Sequence, residues 1–144
     1  MKKIFTLFAL VAGLAMAAQQ HKVAEKVAEF RTLGADFRHF AVLTPSNLPA
    51  SSEVGRTVTA STMAQINTAS VNAIVANKYE TIELEIPYLG NTILVQMYQA
   101  NPFNQDFHLD TDKGKNIAYE RGVHYRGIVK GDNESVVSFN FFNN

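Results

Sequence analysis

Four histidines are the first side chains to consider for chemistry, since histidine is the commonest metal ligand and general base. They stand at His21, His39, His108 and His124. None of them belongs to an H-E-x-x-H helix, which places two histidines and a general base on one face of a zinc protease site. The sequence therefore predicts no site of that type in this chain.

One histidine lies near two carboxylates that could face a cation. His108 is followed by Asp110 and Asp112, and the two aspartates faintly resemble the start of a calcium loop. Gly114 falls one position too early for an EF-hand, and no glutamate stands at the twelfth position. A solvated turn is the favoured interpretation of this segment.

Two serines close to a histidine in sequence are the candidates for nucleophilic catalysis. Ser135 and Ser138 could approach His124 within one hairpin, but no G-x-S-x-G elbow marks either serine as activated. Both are interpreted as ordinary strand residues. Gly127 and Gly131 also lie in a hairpin and do not precede a helix, so neither belongs to a phosphate-binding loop.

Composition and charge exclude several classes of site. Thirteen basic residues balance thirteen acidic ones, so no global field attracts nucleic acid or anionic lipid. The absence of cysteine removes disulfides, thiolate zinc sites and cysteine nucleophiles. We therefore predict no catalytic, cofactor or metal site in this chain, and no nucleic-acid partner.

The N-terminus has the pattern of a signal peptide. Two lysines follow Met1, residues 4–16 form an uncharged apolar run, and Ala15-Met16-Ala17 supplies the small-x-small cleavage pattern. The apolar run is shorter than the roughly 20 residues that cross a bilayer, which disfavours a membrane anchor. We predict that residues 1–17 are removed, that the product is secreted or periplasmic, and that it does not contact a membrane afterwards.

Residues 18–61 are predicted to contain a helix, a short strand and a loop. Val23, Val27, Phe30 and Leu33 recur at helical spacing over residues 21–33, and Gly34 ends the pattern. The apolar run at residues 37–43 favours a strand. Residues 44–61 contain prolines, serines and threonines without periodicity, which is typical of a loop.

Residues 62–144 are predicted to form a β-rich domain, introduced by a second helix. Apolar residues repeat at three and four positions between Met63 and Asn77, with Ser61 or Thr62 as the N-cap. From residue 82 the period changes to two, which indicates a strand that Pro87 ends. A turn at residues 88–91 and a second strand at 92–100 complete a hairpin.

Further strands follow. Residues 107–110 are predicted to form a short strand, and residues 112–114 a turn. A second hairpin joins strands at residues 123–130 and 135–142 through a turn at 131–134. In its second strand Val137, Phe139 and Phe141 face one side, as core or docking residues. The fold class is thus α+β and β-rich, with antiparallel hairpins forming a sheet and one or two short helices on its N-terminal side. Because aromatic strand residues directly precede Asn143-Asn144, we expect this domain to be incomplete at its C-terminus.

The second hairpin resembles a known family. The segment Tyr119–Ser138 carries Tyr125-Arg126-Gly127, a turn with Gly131-Asp132, and then Ser135 ahead of small and apolar residues. This pattern is similar to the propeptide of reprolysin-like (adamalysin, ADAM-type) zinc metalloproteases. The preceding hairpin and Asn101-Pro102-Phe103 fit the same pattern, and the resemblance covers about residues 79–142.

The resemblance implies a non-catalytic propeptide that assists folding and latency of a downstream protease domain, its partner in cis. Zinc is then expected only in that domain, and the full-length parent would be a zinc metalloendopeptidase. This chain has no cysteine to place on a catalytic zinc, so latency by a thiolate is unsupported. The alternative is a stand-alone secreted β-sandwich that serves as an adhesion or ligand-binding module.

Overall fold

The computed structural model of the chain describes residues 22–46, 56–58 and 60–142. The predicted signal peptide of residues 1–17 lies outside the described residues. So do residues 47–55 and 59 of the predicted loop, and Asn143-Asn144 at the end of the sequence.

Seven strands and two helices make up the described part of the chain. The strands are β1 (Arg38–Ala41), β2 (Leu43–Pro45), β3 (Ala64–Ile66), β4 (Thr81–Tyr88), β5 (Asn91–Gln99), β6 (Val123–Val129) and β7 (Val137–Phe141). The helices are α1, which is helical from residue 22 to residue 32, and α2 (Thr68–Asn77). An α+β, β-rich fold class is therefore confirmed.

Five strands form the main sheet in the order β1-β4-β5-β6-β7, and β2 pairs with β3 in a small separate sheet. The two predicted hairpins, β4–β5 and β6–β7, are confirmed as antiparallel neighbours. The sequence predicted only antiparallel hairpins, but the sheet also contains a parallel pair: β1 runs parallel to β4, with Arg38 opposite Ile82. A parallel neighbour needs a long crossover, which here includes α2.

The predicted strand at residues 37–43 is divided into β1 and β2. Val42 interrupts it: this residue is buried, and its carbonyl accepts a hydrogen bond from Asn67 N at 2.9 Å. The chain then leaves the main sheet, and Leu43 pairs with Ile66 of β3. Thr44 and Pro45 therefore belong to a strand, although they were predicted to begin the loop.

The first helix is confirmed and covers one face of the sheet. Its Val23, Ala24 and Val27 are buried against Ile128 of β6, with Tyr98 of β5 beside them. A turn follows the helix, and Gly34 takes the positive φ of 72° that favours glycine at a helix C-terminus.

The second helix begins later than predicted. Residues 64–66 form β3, and α2 starts at Thr68, where the Asn67 side chain accepts the hydrogen bond of Ser70 N. The predicted cap is therefore wrong, because Thr62 Oγ1 instead accepts a hydrogen bond from Leu89 N at 2.8 Å. Residues 64–66 pair with β2 in a two-stranded antiparallel ribbon, the β2–β3 ribbon. This tertiary pairing overrides the helical spacing of their apolar residues.

Alternating apolar residues of the sheet face α2 and form the main core. Fully buried members are Ile74 of α2, Ile82 and Leu84 of β4, Met97 of β5, and Tyr125 of β6. Val137, Phe139 and Phe141 of β7 also pack in this cluster, so their predicted common face is confirmed as a core face. The period of two therefore identified the buried sides of β4, β5 and β7.

Pro87 does not end β4, as predicted, but lies inside it opposite Thr92. Glu80 O accepts a hydrogen bond from Gln99 N, so even-numbered residues of β4 direct their backbone groups toward β5. Pro87 therefore faces the β1 side, where pairing has already stopped at Glu85. No ladder donor is missing, and a proline is tolerated there.

Residues 107–110 do not form the predicted strand. Asp110 Oδ1 accepts a hydrogen bond from Asn116 N at 2.9 Å, and His108 Nδ1 lies 3.1 Å from Asp106 O. Such local side-chain bonds compete with ladder pairing. The predicted turn at residues 112–114 is confirmed, with Thr111 and Gly114 bridged across it.

Candidate functional site

The six residues that carry the family resemblance all lie in the β6–β7 hairpin. Tyr125 is fully buried at its centre, and its hydroxyl donates a hydrogen bond to Tyr79 O at 2.7 Å. Burial raises the pKa of Tyr125 to about 12, with a smaller contribution from Tyr79. Arg126 follows on the opposite face and is exposed. Tyr125 therefore supports the core and is kept protonated.

Gly127 lies at a close approach of the β5 and β6 backbones. It is opposite Met97 of β5 and Val137 of β7. A Cβ at this position would lie 2.0 Å from Gln96 O and 2.6 Å from Met97 Cα. Backbone atoms cannot yield as a flexible side chain can, so only glycine fits here.

Gly131, Asp132 and Ser135 build the turn of the hairpin. Gly131 has a φ of 90°, and Asp132 N donates to Val129 O at 2.9 Å. Ser135 Oγ donates to Asp132 O and accepts a hydrogen bond from Val129 N, both at 2.7 Å. The hydroxyl that was considered as a nucleophile thus joins the two ends of the turn.

His124 does not activate a serine in this arrangement. Its Nδ1 lies 2.6 Å from Asn140 Oδ1, and its Nε2 lies 2.7 Å from Arg121 O. Ser138 stands opposite Arg126 and not opposite His124. Both ring nitrogens are occupied, so the arrangement orients the imidazole between β7 and the preceding loop.

Aromatic rings surround His124 and connect the long loop before β6 to the hairpin. Phe103 and Phe142 contact the imidazole edge-on, with ring centroids 5.4 and 5.8 Å away. Phe103 also contacts Phe107 and Tyr119. The loop of residues 101–122 therefore has a small aromatic core of its own.

The carboxylates considered for calcium do not converge. His108 Nε2 lies 3.7 Å from Asp110 Oδ2, and both side chains line an open cleft with Arg121 and Lys115. Among residues 22–46, 56–58 and 60–142, no group of three or more His, Cys, Asp or Glu side chains is arranged to hold a metal ion.

A polar cluster beneath α1 was not found by sequence reasoning. Glu83 accepts hydrogen bonds from Gln96 Nε2 at 2.7 Å and from Lys130 Nζ at 2.9 Å. Gln96 Oε1 accepts in turn from Arg31 Nε at 2.7 Å. Burial of the Glu83 carboxyl raises its pKa, but the hydrogen bonds from Lys130 and Gln96 outweigh burial and hold the pKa below its usual value. The alternation of residues 82–86 placed Glu83 on the polar face, but its partners Gln96 and Lys130 become its neighbours only through the pairing of β4, β5 and β6.

None of the helices in the described residues has the length and apolarity to cross a membrane. Comparison with family models, with curated proteins and with solved structures found no match to this chain.

Proposed function

We propose that this chain is a non-catalytic propeptide segment of a secreted zinc metalloprotease precursor. The observation that carries the proposal is that three residues of the propeptide-like segment each stabilise the β6–β7 hairpin. The buried hydroxyl of Tyr125 binds Tyr79 O, Gly127 allows the β5 backbone to approach, and the Ser135 hydroxyl binds Val129 N in the turn. Residues that stabilise a hairpin in this way support a folding role rather than a catalytic one.

The partner in this proposal is the protease domain encoded in the same precursor. The propeptide acts on it through backbone and packing contacts, by templating its folding and by covering its cleft. Because the sequence has no cysteine, the proposed latency is steric and does not use a thiolate on the catalytic zinc. Zinc and the catalytic histidines belong to the protease domain.

The proposal includes export. Residues 1–17 act as a signal peptide, and the rest of the chain is secreted or periplasmic. Contacts with nucleic acid are not part of the proposed role, since the formal net charge is zero and no basic groove is apparent in the sequence.

The first test is to read the coding sequence downstream of Asn144. An in-frame continuation that reaches H-E-x-x-H-x-x-G-x-x-H supports the proposal. A stop codon directly after Asn144 contradicts it, and would favour the alternative of a stand-alone secreted adhesion or ligand-binding module.

The second test measures what the segment does for the protease. The precursor is produced with and without residues 18–144, and the yield of active protease is measured. We expect at least about a tenfold loss on deletion, since the template for folding is removed. Gly127→Val in the intact precursor should reproduce the loss, whereas Gly114→Ala, at a site with space for a Cβ, should not. An unchanged protease yield on deletion would refute the folding role.

A further inference from the structure

Strand β7 is an outer strand of the main sheet, and within the described residues no strand pairs with its outer edge. His124 O accepts a hydrogen bond from Ala100 N on the β5 side, so Tyr125 directs its backbone groups to the other side, toward β7. Tyr125 is opposite Phe139. By alternation, Ser138 and Asn140 direct their N–H and C=O groups outward.

The composition of β7 does nothing to discourage pairing at this edge. The strand reads VSFNF and contains neither a charged residue nor a proline. Exposed edges in monomeric proteins usually carry such residues, because they prevent the addition of another strand. The opposite outer strand, β1, does carry them: the Arg38 guanidinium lies over the Tyr79 ring, and His39 lies between the carboxylates of Glu83 and Glu85.

The two faces of β7 differ in polarity. Val137 and Phe139 are half-buried on the face toward α2, and the Phe139 ring stacks on that of Phe141 with centroids 6.1 Å apart. Ser138 and Asn140 are exposed on the other face. A strand added here must therefore present apolar and polar residues in the same alternation.

We propose that β7 pairs antiparallel with β7 of a second copy of this chain, in a register centred on Phe139. This register pairs every residue of the strand. Ser138 then exchanges backbone hydrogen bonds with Asn140 of the second copy, and Val137 lies opposite the second copy's Phe141. The two sheets become continuous, with the aromatic residues of both copies on one face.

The pattern of β7 itself favours a second copy as the occupant, because β7 has the alternation of apolar and polar residues that an added strand needs. Without residues 1–17 the chain has eleven basic and thirteen acidic residues, so long-range repulsion between two copies is weak. The inference is independent of the proposed propeptide role, since it depends only on the geometry and composition of β7.

Sedimentation equilibrium of the purified chain over a concentration series tests the proposal. The unaltered chain should dimerise below about 100 μM. Ser138→Pro removes an outward N–H without removing a bond to β6, and should weaken the dimer at least about tenfold. Ser138→Ala keeps that N–H and is the matched control. A monomer at every concentration overturns the proposal, as does an unweakened dimer of Ser138→Pro that circular dichroism shows to be folded. If the proline variant is unfolded, Ser138→Lys, which adds a charge at an exposed position of β7, replaces it, and it should also weaken the dimer.

The register is tested separately by disulfide cross-linking. Because the sequence has no cysteine, each introduced cysteine can pair only with its own counterpart in a second copy. Phe139→Cys brings two sulfurs together at a non-hydrogen-bonded pair, where Cα atoms lie about 4.5 Å apart. Mild oxidation should give a covalent dimer. Val137→Cys, which faces Phe141 of the second copy and not its own counterpart, should remain monomeric on a denaturing gel. Equal cross-linking of the two variants, or none of Phe139→Cys, overturns the centred register.

Discussion

Gly127 and Tyr125 of β6 determine how closely the sheet packs. Gly127 allows the backbone of β5 to approach, since even a methyl group there would overlap Gln96 O. Tyr125 fills the space beneath the hairpin, and its hydroxyl satisfies the carbonyl of Tyr79. Packing requirements therefore determine the residue type at both positions.

Gly127→Ala should be strongly destabilising. The added Cβ meets backbone atoms of Gln96 and Met97, so β5 and β6 must separate, and we expect a loss of about 3 kcal/mol or more in the free energy of unfolding. Urea denaturation measures the loss. Gly114→Ala is the control, since its Cβ would meet only the Ile117 side chain at 3.9 Å. Equal stability of the two variants would show that β5 and β6 are not in close contact.

Ionisation of Tyr125 should lower the free energy of unfolding at alkaline pH. Burial raises its pKa to about 12, whereas the unfolded residue ionises near pH 10. The unfolded chain therefore releases this proton first, and the free energy of unfolding falls as the pH rises from about 10 to about 12.

Tyr125→Phe should remove that part of the decline. At neutral pH the variant also loses about 1–2 kcal/mol, because Tyr79 O is left without its donor. Denaturation at a series of pH values measures both effects, and Tyr88→Phe, at a residue that is 54% exposed, is the control. A parallel alkaline decline in Tyr125→Phe and the unaltered chain would rule out this assignment.

At the scale of the elements, contacts with neighbouring segments determine where β3 ends and where α2 begins. The β2–β3 ribbon ends at Ile66, and the next residue, Asn67, caps α2 while its own N–H donates to Val42 O. Asn67 thus connects the ribbon, the helix and the start of β2. The helix begins where this connection allows, and not where its apolar spacing begins.

Asn67→Ala should reduce the free energy of unfolding by about 1 kcal/mol, because Ser70 N loses its acceptor. Asn67→Asp should retain most of the stability, since a carboxylate also caps a helix. Thermal unfolding followed by circular dichroism measures both variants. Ser61→Ala, at the position predicted from sequence as a cap, should leave the midpoint unchanged. A larger effect at Ser61 than at Asn67 would contradict the cap.

At the scale of the whole molecule, the Glu83 cluster joins parts of the chain that are distant in sequence. Through Gln96 and Lys130 the carboxylate connects β4, β5 and the end of β6, and Gln96 extends the connection to Arg31 of α1. The Glu83 side chain is only 12% exposed, whereas that of Lys130 is 47% exposed, so solvent partly screens the ion pair between them. The cluster thus adds one polar contact between α1 and the sheet to the apolar packing of Val23 and Val27 on Ile128.

Glu83→Gln should lower stability at neutral pH by about 1–2 kcal/mol, because Lys130 loses its charged partner. The substitution should also reduce the fall in the free energy of unfolding as the pH is lowered, which is the acid limb of the stability profile. The pKa of Glu83 is held below its usual value of 4.5, so its contribution is present above about pH 4.5 and is lost as the pH falls below it. Urea denaturation between pH 3 and pH 7 measures both effects, with the more exposed Glu85→Gln as the control. An identical acid limb for the two variants would refute the assignment.

The sequence by itself determined the elements that depend on local periodicity. The alternation in residues 82–100 and 123–142 predicted both hairpins, and the spacing of Val23 and Val27 predicted α1. The buried faces of β4, β5 and β7 were also assigned correctly, including Phe139 and Phe141 of β7. These features follow from which side chains can leave water together along a single element.

Only the tertiary structure decided the contacts between distant segments. The parallel pairing of β1 with β4, the late start of α2 and the partners of Glu83 each require residues from separate parts of the chain. Pro87 was misinterpreted for the same reason, since its missing N–H is harmless only because β1 has already ended beside it. Local periodicity records which face of an element is apolar, whereas the neighbours that satisfy its backbone and charged groups are chosen by the fold.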